Sequence, residues 1–152
     1  MSLLGKKAPD FSLFDHNKQE TSLSSFRGKK VILAFYPAAF TGVCKKELCT
    51  FEESLAELGQ MNSAILGVSV DGPFANAAFA EANNLNFPLL SDYERSTVNA
   101  YGIALPDFAG MPGYTASQRA VFVIDESGDV IYEWVGEHPG LEPDYEAVKG
   151  AL

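Results

Sequence analysis

Residues 31–36, Val-Ile-Leu-Ala-Phe-Tyr, form an uncharged run whose short length and β-branched and aromatic content predict a strand buried on both faces. Pro37 ends it. Past a short loop, Thr41 is a good N-cap, and from Cys44 the apolar residues Leu48, Phe51, Leu55 and Leu58 recur at helical spacing to about Gln60. A second buried strand follows at 64–70, Ala-Ile-Leu-Gly-Val-Ser-Val. Strand, helix and strand in this order predict a parallel crossover, which restricts the chain to an α/β architecture.

Cys44 is therefore expected in a first helical turn. Free backbone N–H groups and the positive end of the helix dipole stabilise negative charge there, which favours thiolate over thiol and marks Cys44 as a nucleophile. Thr41 lies three residues earlier, close enough to bring its hydroxyl beside the sulfur as a donor to the thiolate or an acceptor from a substrate. Pro37 ends the strand without an exposed N–H and can wall the site from water. The bland alternative is that Cys44 is only a small buried hydrophobe and Thr41 only a cap.

A chain of 152 residues with 47% hydrophobic side chains fits a single domain with a substantial core, residues 1–152. Its formal net charge of -9 argues against nonspecific binding to nucleic acid or anionic membranes, which needs clustered Lys and Arg, and leaves a small neutral substrate compatible. The first ten residues lack the apolar stretch of a secretory leader, and no apolar run is long enough to span a bilayer, so a cytoplasmic location is expected. Two cysteines are too few for a disulfide scaffold and point to redox or metal chemistry. Zinc sites usually take four ligands at recognisable spacing. The only histidines, His16 and His138, are in no such context, so neither a metal nor another cofactor is expected.

Around the crossover, residues 11–14 and 21–23 predict an N-terminal hairpin. Asp71-Gly72-Pro73 is expected to cap a helix whose inward face carries Phe74, Ala78, Phe79 and Ala82, ended by Asn83-Asn84. Residues 87–90 read as a short extended piece and 97–101 as a short helix. Residues 104–118, with Pro106, Gly110, Pro112 and Gly113 among Phe108, Met111 and Tyr114, read as a long loop. Residues 119–124 and 130–135 flank the clearest hairpin turn, and a C-terminal helix begins at Asp144 or Tyr145.

The spacing Pro37-x-x-x-Thr41-x-x-Cys44 within FYPAAFTGVC resembles the active-site segment of the peroxiredoxins, and the resemblance extends over nearly the whole chain. It implies a thioredoxin-like sandwich: a central mixed sheet, helices on both faces and an N-terminal β-hairpin. It also implies a role for Arg119, at the start of an apolar strand, which would stand beside the catalytic cysteine, favour thiolate and orient a peroxide. Without that resemblance, Arg119 reads as a rim arginine paired with a surface carboxylate. Glu47, one turn after Cys44, would hold the guanidinium in place, or is simply an exposed helical glutamate. The Cys-x4-Cys spacing of Cys44 and Cys49 is similar to the bacterioferritin-comigratory (PrxQ) group, whereas Ala38 to Gly42 with Glu47 and Leu48 is closer to the one-cysteine AhpE type. The two imply different fates for Cys49; resolution of oxidised Cys44 by Cys49 is the expectation carried forward.

The resulting reading is a thiol peroxidase acting on hydrogen peroxide, organic hydroperoxides or both, with a thioredoxin-like or other thiol reductant. The backbone N–H of Cys44, the Thr41 hydroxyl and Arg119 are the expected donors to the departing oxygen. The rivals are a non-enzymatic redox sensor or holdase using the same cysteine, a one-cysteine peroxidase resolved by an external thiol, and a thioredoxin-fold binding module in which Cys44 is unreactive. A thioredoxin-like reductase lacks its Cys-x-x-Cys here. The apolar loop 104–118 is the candidate contact of a homodimer, as in the family's dimers built through loops at the active-site end.

Overall fold

In the computed structural model, which describes residues 2–152, the chain opens with a hairpin, β1 (Ser12–Asp15) and β2 (Glu20–Ser22), and then forms β3 (Lys30–Phe35). Helices α1 (Gly42–Glu53) and α2 (Leu55–Gln60) lead into β4 (Ser63–Ser69). Then come α3 (Pro73–Asn83), β5 (Leu89–Ser91) and α4 (Ser96–Ala100). A short arm of β6 (Ala104–Leu105) and β7 (Ala116–Ser117) precedes the hairpin of β8 (Ala120–Ile124) and β9 (Val130–Val135), and α5 (Tyr145–Gly150) follows.

Seven strands make one mixed sheet in the order β2-β1-β5-β4-β3-β8-β9. The pairs β3–β4 and β4–β5 are parallel, while β8 returns antiparallel on the other side of β3. This is the mixed sheet expected from the sequence, with the uncharged run at its centre. Burial on both sides explains its lack of polar positions: Val31, Leu33 and Phe35 pack into one core layer, and Ile32, Ala34 and Tyr36 into the other. The first layer includes Val98 of α4 and the aromatic group Phe35, Tyr101 and Phe122, with ring centroids 5.2 to 5.7 Å apart. The second is covered by α1, α2, α3 and α5 through Leu48, Phe51, Leu58, Phe79 and Val148. Gly67 faces this second layer, where an added Cβ would meet a Leu89 methyl at 2.7 Å.

Three elements differ from their expected form. The helix expected to run from Cys44 to Gln60 breaks at Ser54 (φ -94°, ψ 0°), whose N–H bonds the Phe51 carbonyl three residues back. Both halves bury the same face, so apolar periodicity runs through the break undisturbed. In α3 the buried residues are Asn76, Phe79 and Ala80, while Phe74, Ala78 and Ala82 face outward. Asn76 tolerates burial because its side chain accepts from the Tyr36 hydroxyl at 2.8 Å. The expected loop 104–118 contains the β6–β7 arm and a tight turn in which Phe108 stacks edge-on against Tyr114 at 5.5 Å. Met111 remains about half exposed there.

Candidate active site

Strand register brings three distant segments to one end of the sheet. Phe35 lies opposite Val68 in parallel β4 and opposite Ala120 in antiparallel β8, so the residues just past β3 and β4 and just before β8 converge. Alternation sets the direction of Arg119: Val121 and Val123 face the layer under α1, and Arg119, two residues earlier, faces it as well. Pro37 is buried where β3 ends.

Thr41 occupies the N-cap position of α1 (φ -86°, ψ 149°), which makes Cys44 the third helical residue. The first rung of the helix runs from the Lys45 N–H to the Thr41 carbonyl at 3.0 Å, so the N–H groups of residues 42–44 precede the ladder and point out of its end. The Thr41 hydroxyl makes no cap; it donates to the Ala38 carbonyl at 2.8 Å. Its one proton is thus committed, which removes the expected donor role and leaves its lone pairs to accept. The same Ala38–Ala39 peptide donates its N–H to Asp71 Oδ2 at 2.8 Å. Asp71, expected to cap α3, instead turns its carboxylate to this loop, and Gly72 takes the cap position.

Cys44 is fully buried and Arg119 is 2% exposed. One terminal guanidinium nitrogen of Arg119 donates to Cys44 Sγ at 3.1 Å and to the Pro139 carbonyl at 2.9 Å. The other donates to Glu47 Oε1 at 2.9 Å, and Nε donates to the Pro139 carbonyl at 3.0 Å. Glu47 is also fully buried, so the reading of an exposed helical glutamate does not hold, and among the described residues its Oε2 has no hydrogen-bond partner. Burial pushes the Glu47 carboxyl up to about 7 against the pull of Arg119, and Glu142 adds to the rise. Burial opposes the charge of Arg119, but Glu47 and Cys44 outweigh it and hold the guanidinium above its usual value. The guanidinium therefore stays charged and the carboxyl is the member of the pair that titrates.

Both cysteines are free, and Cys49 is half-buried with its sulfur 4.0 Å from Asn83 Oδ1. Helix α1 is unbroken between them. Five helical residues rise ~7.5 Å and turn by roughly 140°, whereas a disulfide needs Cα atoms within about 7 Å. Bonding the two sulfurs thus requires α1 to unwind. The C-terminal segment clasps this helix: Lys46 pairs with Glu142 at 3.0 Å, Tyr145 donates to Glu142 at 2.7 Å, and the Tyr145 ring meets Phe51 edge-on at 5.3 Å. Lys46 is thus tied down on one side.

His16 accepts from the Leu89 N–H and His138 from the Gly140 N–H. Among the described residues, no group of three or more His, Cys, Asp or Glu side chains is placed to hold a metal ion, and no helix is long and apolar enough to cross a membrane. Sequence reasoning missed Pro139, whose contribution is a backbone carbonyl without a side-chain signature. It also missed the loop contact of Asp71, which the parallel register of two predicted strands could have suggested.

Residues 4–133 match the model of the AhpC/TSA family. A Mycobacterium tuberculosis protein assigned to the peroxiredoxins is 39% identical over 129 residues, covering 84% of this chain and 81% of its own length. A Haemophilus influenzae protein assigned as peroxiredoxin bcp is 38% identical over 129 residues, covering 84% of this chain and 83% of its own. Among solved structures, peroxidoxin BcpB from Mycobacterium tuberculosis superposes with a TM-score of 0.85 at 30% identity, over 99% of this chain and 95% of that one.

Proposed function

This chain belongs to the AhpC/TSA family and is a peroxiredoxin-type thiol peroxidase, and from that premise we propose that Cys44 is its peroxidatic residue. The observation that carries the assignment is the Arg119 N–H 3.1 Å from Cys44 Sγ at the open end of α1. A fixed positive charge and unpaired helical N–H groups both stabilise a sulfur anion. The thiolate attacks one peroxide oxygen, an S–O bond forms as the O–O bond breaks, sulfur is oxidised and the peroxide reduced. The departing hydroxide or alkoxide takes a proton from water, and Cys44 is left as the sulfenic acid.

In this reading the Arg119 fork and the Cys44 N–H meet the charge that develops on the peroxide oxygens. Thr41 accepts from the peroxide O–H, since its own proton is held by Ala38. Glu47 and the Pro139 carbonyl aim Arg119 without touching the substrate, and buried Pro37 closes the floor of the loop. The chain acts as a single domain. Cys49 attacks the sulfenic sulfur after α1 unwinds, forming the disulfide and releasing water, and a thioredoxin-like dithiol returns both cysteines to thiols. A cytoplasmic location, where thioredoxin and glutathione keep thiols reduced, supplies the reductant that this cycle needs. A homodimer built through the 104–118 arm is supported by the exposed Met111.

One equivalent of hydrogen peroxide added to the reduced protein tests the scheme. Both thiols should be consumed and an intramolecular Cys44–Cys49 disulfide should appear by mass spectrometry. Cys44→Ser should abolish turnover; retained turnover removes Cys44 from its role. Accumulated Cys44 sulfenic acid with Cys49 still open to alkylation would make this a one-cysteine peroxidase. Peroxide consumption that does not recur with a thiol reductant would favour the redox sensor.

A further inference from the structure

We propose that Asp71 is a positioning residue for the peroxidase reaction: it holds the Ala38–Ala39 peptide so that the Thr41 oxygen faces the peroxide as an acceptor. This rests on the role given to Thr41 above. The Ala39 N–H and the Ala38 carbonyl belong to one planar peptide unit. Its N–H donates to Asp71 Oδ2 at 2.8 Å, and its carbonyl accepts the Thr41 hydroxyl proton at 2.8 Å. The unit is therefore clamped at both ends. A bond from a peptide N–H to a carboxylate is charge-assisted, and it polarises the peptide so that the carbonyl becomes a better acceptor for the next bond in the chain. The Thr41 proton is drawn toward Ala38, and the oxygen lone pairs are left for substrate.

The anchor behind Asp71 is rigid. Ser69 donates its hydroxyl to Asp71 Oδ2 at 3.0 Å and accepts the Asp71 N–H at 3.2 Å. The Asp71 carbonyl accepts from the Ser91 hydroxyl and from Asn76 Nδ2, and Asn76 in turn accepts from Tyr36. Ser69, Asn76, Ser91 and Tyr36 are all fully buried. The loop being held is itself strained: Phe40, between Ala39 and Thr41, has φ +66°, a left-handed conformation disfavoured for a bulky side chain. Such a residue persists only where its flanks are fixed. On one side that is the clamped peptide; on the other it is the first turn of α1.

The test is a double-mutant cycle on the second-order rate constant for hydrogen peroxide, measured by stopped flow on the reduced protein. Asp71→Ala and Thr41→Val should each slow the reaction on the order of a hundredfold, the scale for loss of one aligned polar partner. The double variant should be no slower than Thr41→Val alone, because Asp71 acts through Thr41. Asp71→Asn, which keeps a carbonyl acceptor of the same shape, should recover most of the rate. Losses that multiply in the double variant, or a wild-type rate in Asp71→Ala, overturn the proposal while leaving Thr41 in its role. A wild-type rate in Thr41→Val overturns the Thr41 assignment itself. If Asp71→Ala does not fold, the cycle is run with Asp71→Leu, which keeps roughly the side-chain shape but offers no acceptor to the Ala39 N–H, and must show the same non-additivity.

Discussion

Arg119 spends its donors on three partners at once, the Cys44 sulfur, the Glu47 carboxyl and the Pro139 carbonyl. A lysine there would keep the charge but has no planar fork to reach all three. We therefore expect Arg119→Lys to lose rate on the order of a hundredfold, close to Arg119→Ala, an effect far larger than that on folding stability; a near-wild-type rate constant in Arg119→Lys would show that charge alone suffices. Glu47 makes a separate prediction. Its folded-state value of about 7 lies above the ordinary 4.5, so between these limits the native protein holds a proton that the unfolded chain has lost. Its contribution to folding stability is thus present in full below pH 4.5 and is lost as pH rises toward 7. The groups facing it are Arg119, which opposes the rise, and Glu142, which adds to it. Urea unfolding of wild type and Glu47→Gln across pH 4.5 to 7 should show wild type losing stability relative to the variant; a difference of the opposite sign contradicts the assignment. At this scale Cys44 and Thr41 were legible because capping and spacing placed them, and Arg119 and Glu47 through the resemblance. The Pro139 carbonyl was not, because any residue supplies one.

In the proposed cycle, helix α1 is ordered to present Cys44 and comes apart for Cys49 to reach it. The break at Ser54 limits what has to move, since unwinding can stop there while Leu58 keeps α2 on the core. The clasp of Glu142 and Tyr145 on Lys46 and Phe51 resists the opening. Loosening it with Glu142→Gln should raise the rate of disulfide formation after a peroxide pulse by a few fold, with a stability change under about 1 kcal/mol as for other exposed ion pairs. Quenched-flow alkylation with mass spectrometry measures that rate, and an unchanged value would mean that the clasp does not limit unwinding. The existence and order of the elements were readable from periodicity, and two of the details were not. Phe51 and Leu58 point the same way on either side of the Ser54 break, so spacing cannot reveal it. In α3 the inward position went to Asn76, whose partner Tyr36 is 40 positions away.

At the scale of the whole molecule, the core leaves no room for an added Cβ at Gly67, where β4 pairs with β5. Gly67→Ala would drive a methyl group against Leu89 and should destabilise the protein by about 1–3 kcal/mol in urea unfolding; a neutral outcome would mean that this layer is looser than it stands. The surface, at net charge -9, should show no affinity for duplex DNA in a gel shift at physiological salt. Sedimentation should show a dimer that Met111→Glu weakens, and an unaffected dimer would place the contact elsewhere. The site draws on both ends of the chain's topology: Cys44 and Arg119 are 75 positions apart, joined only once β8 has paired with β3. Contacts of such separation form late in folding. During synthesis, then, Cys44 leaves the ribosome long before its guanidinium partner exists. On the role proposed for Arg119, fast reaction with peroxide begins only when β8 has paired with β3, so the rate of that reaction would serve as a clock for completion of the sheet.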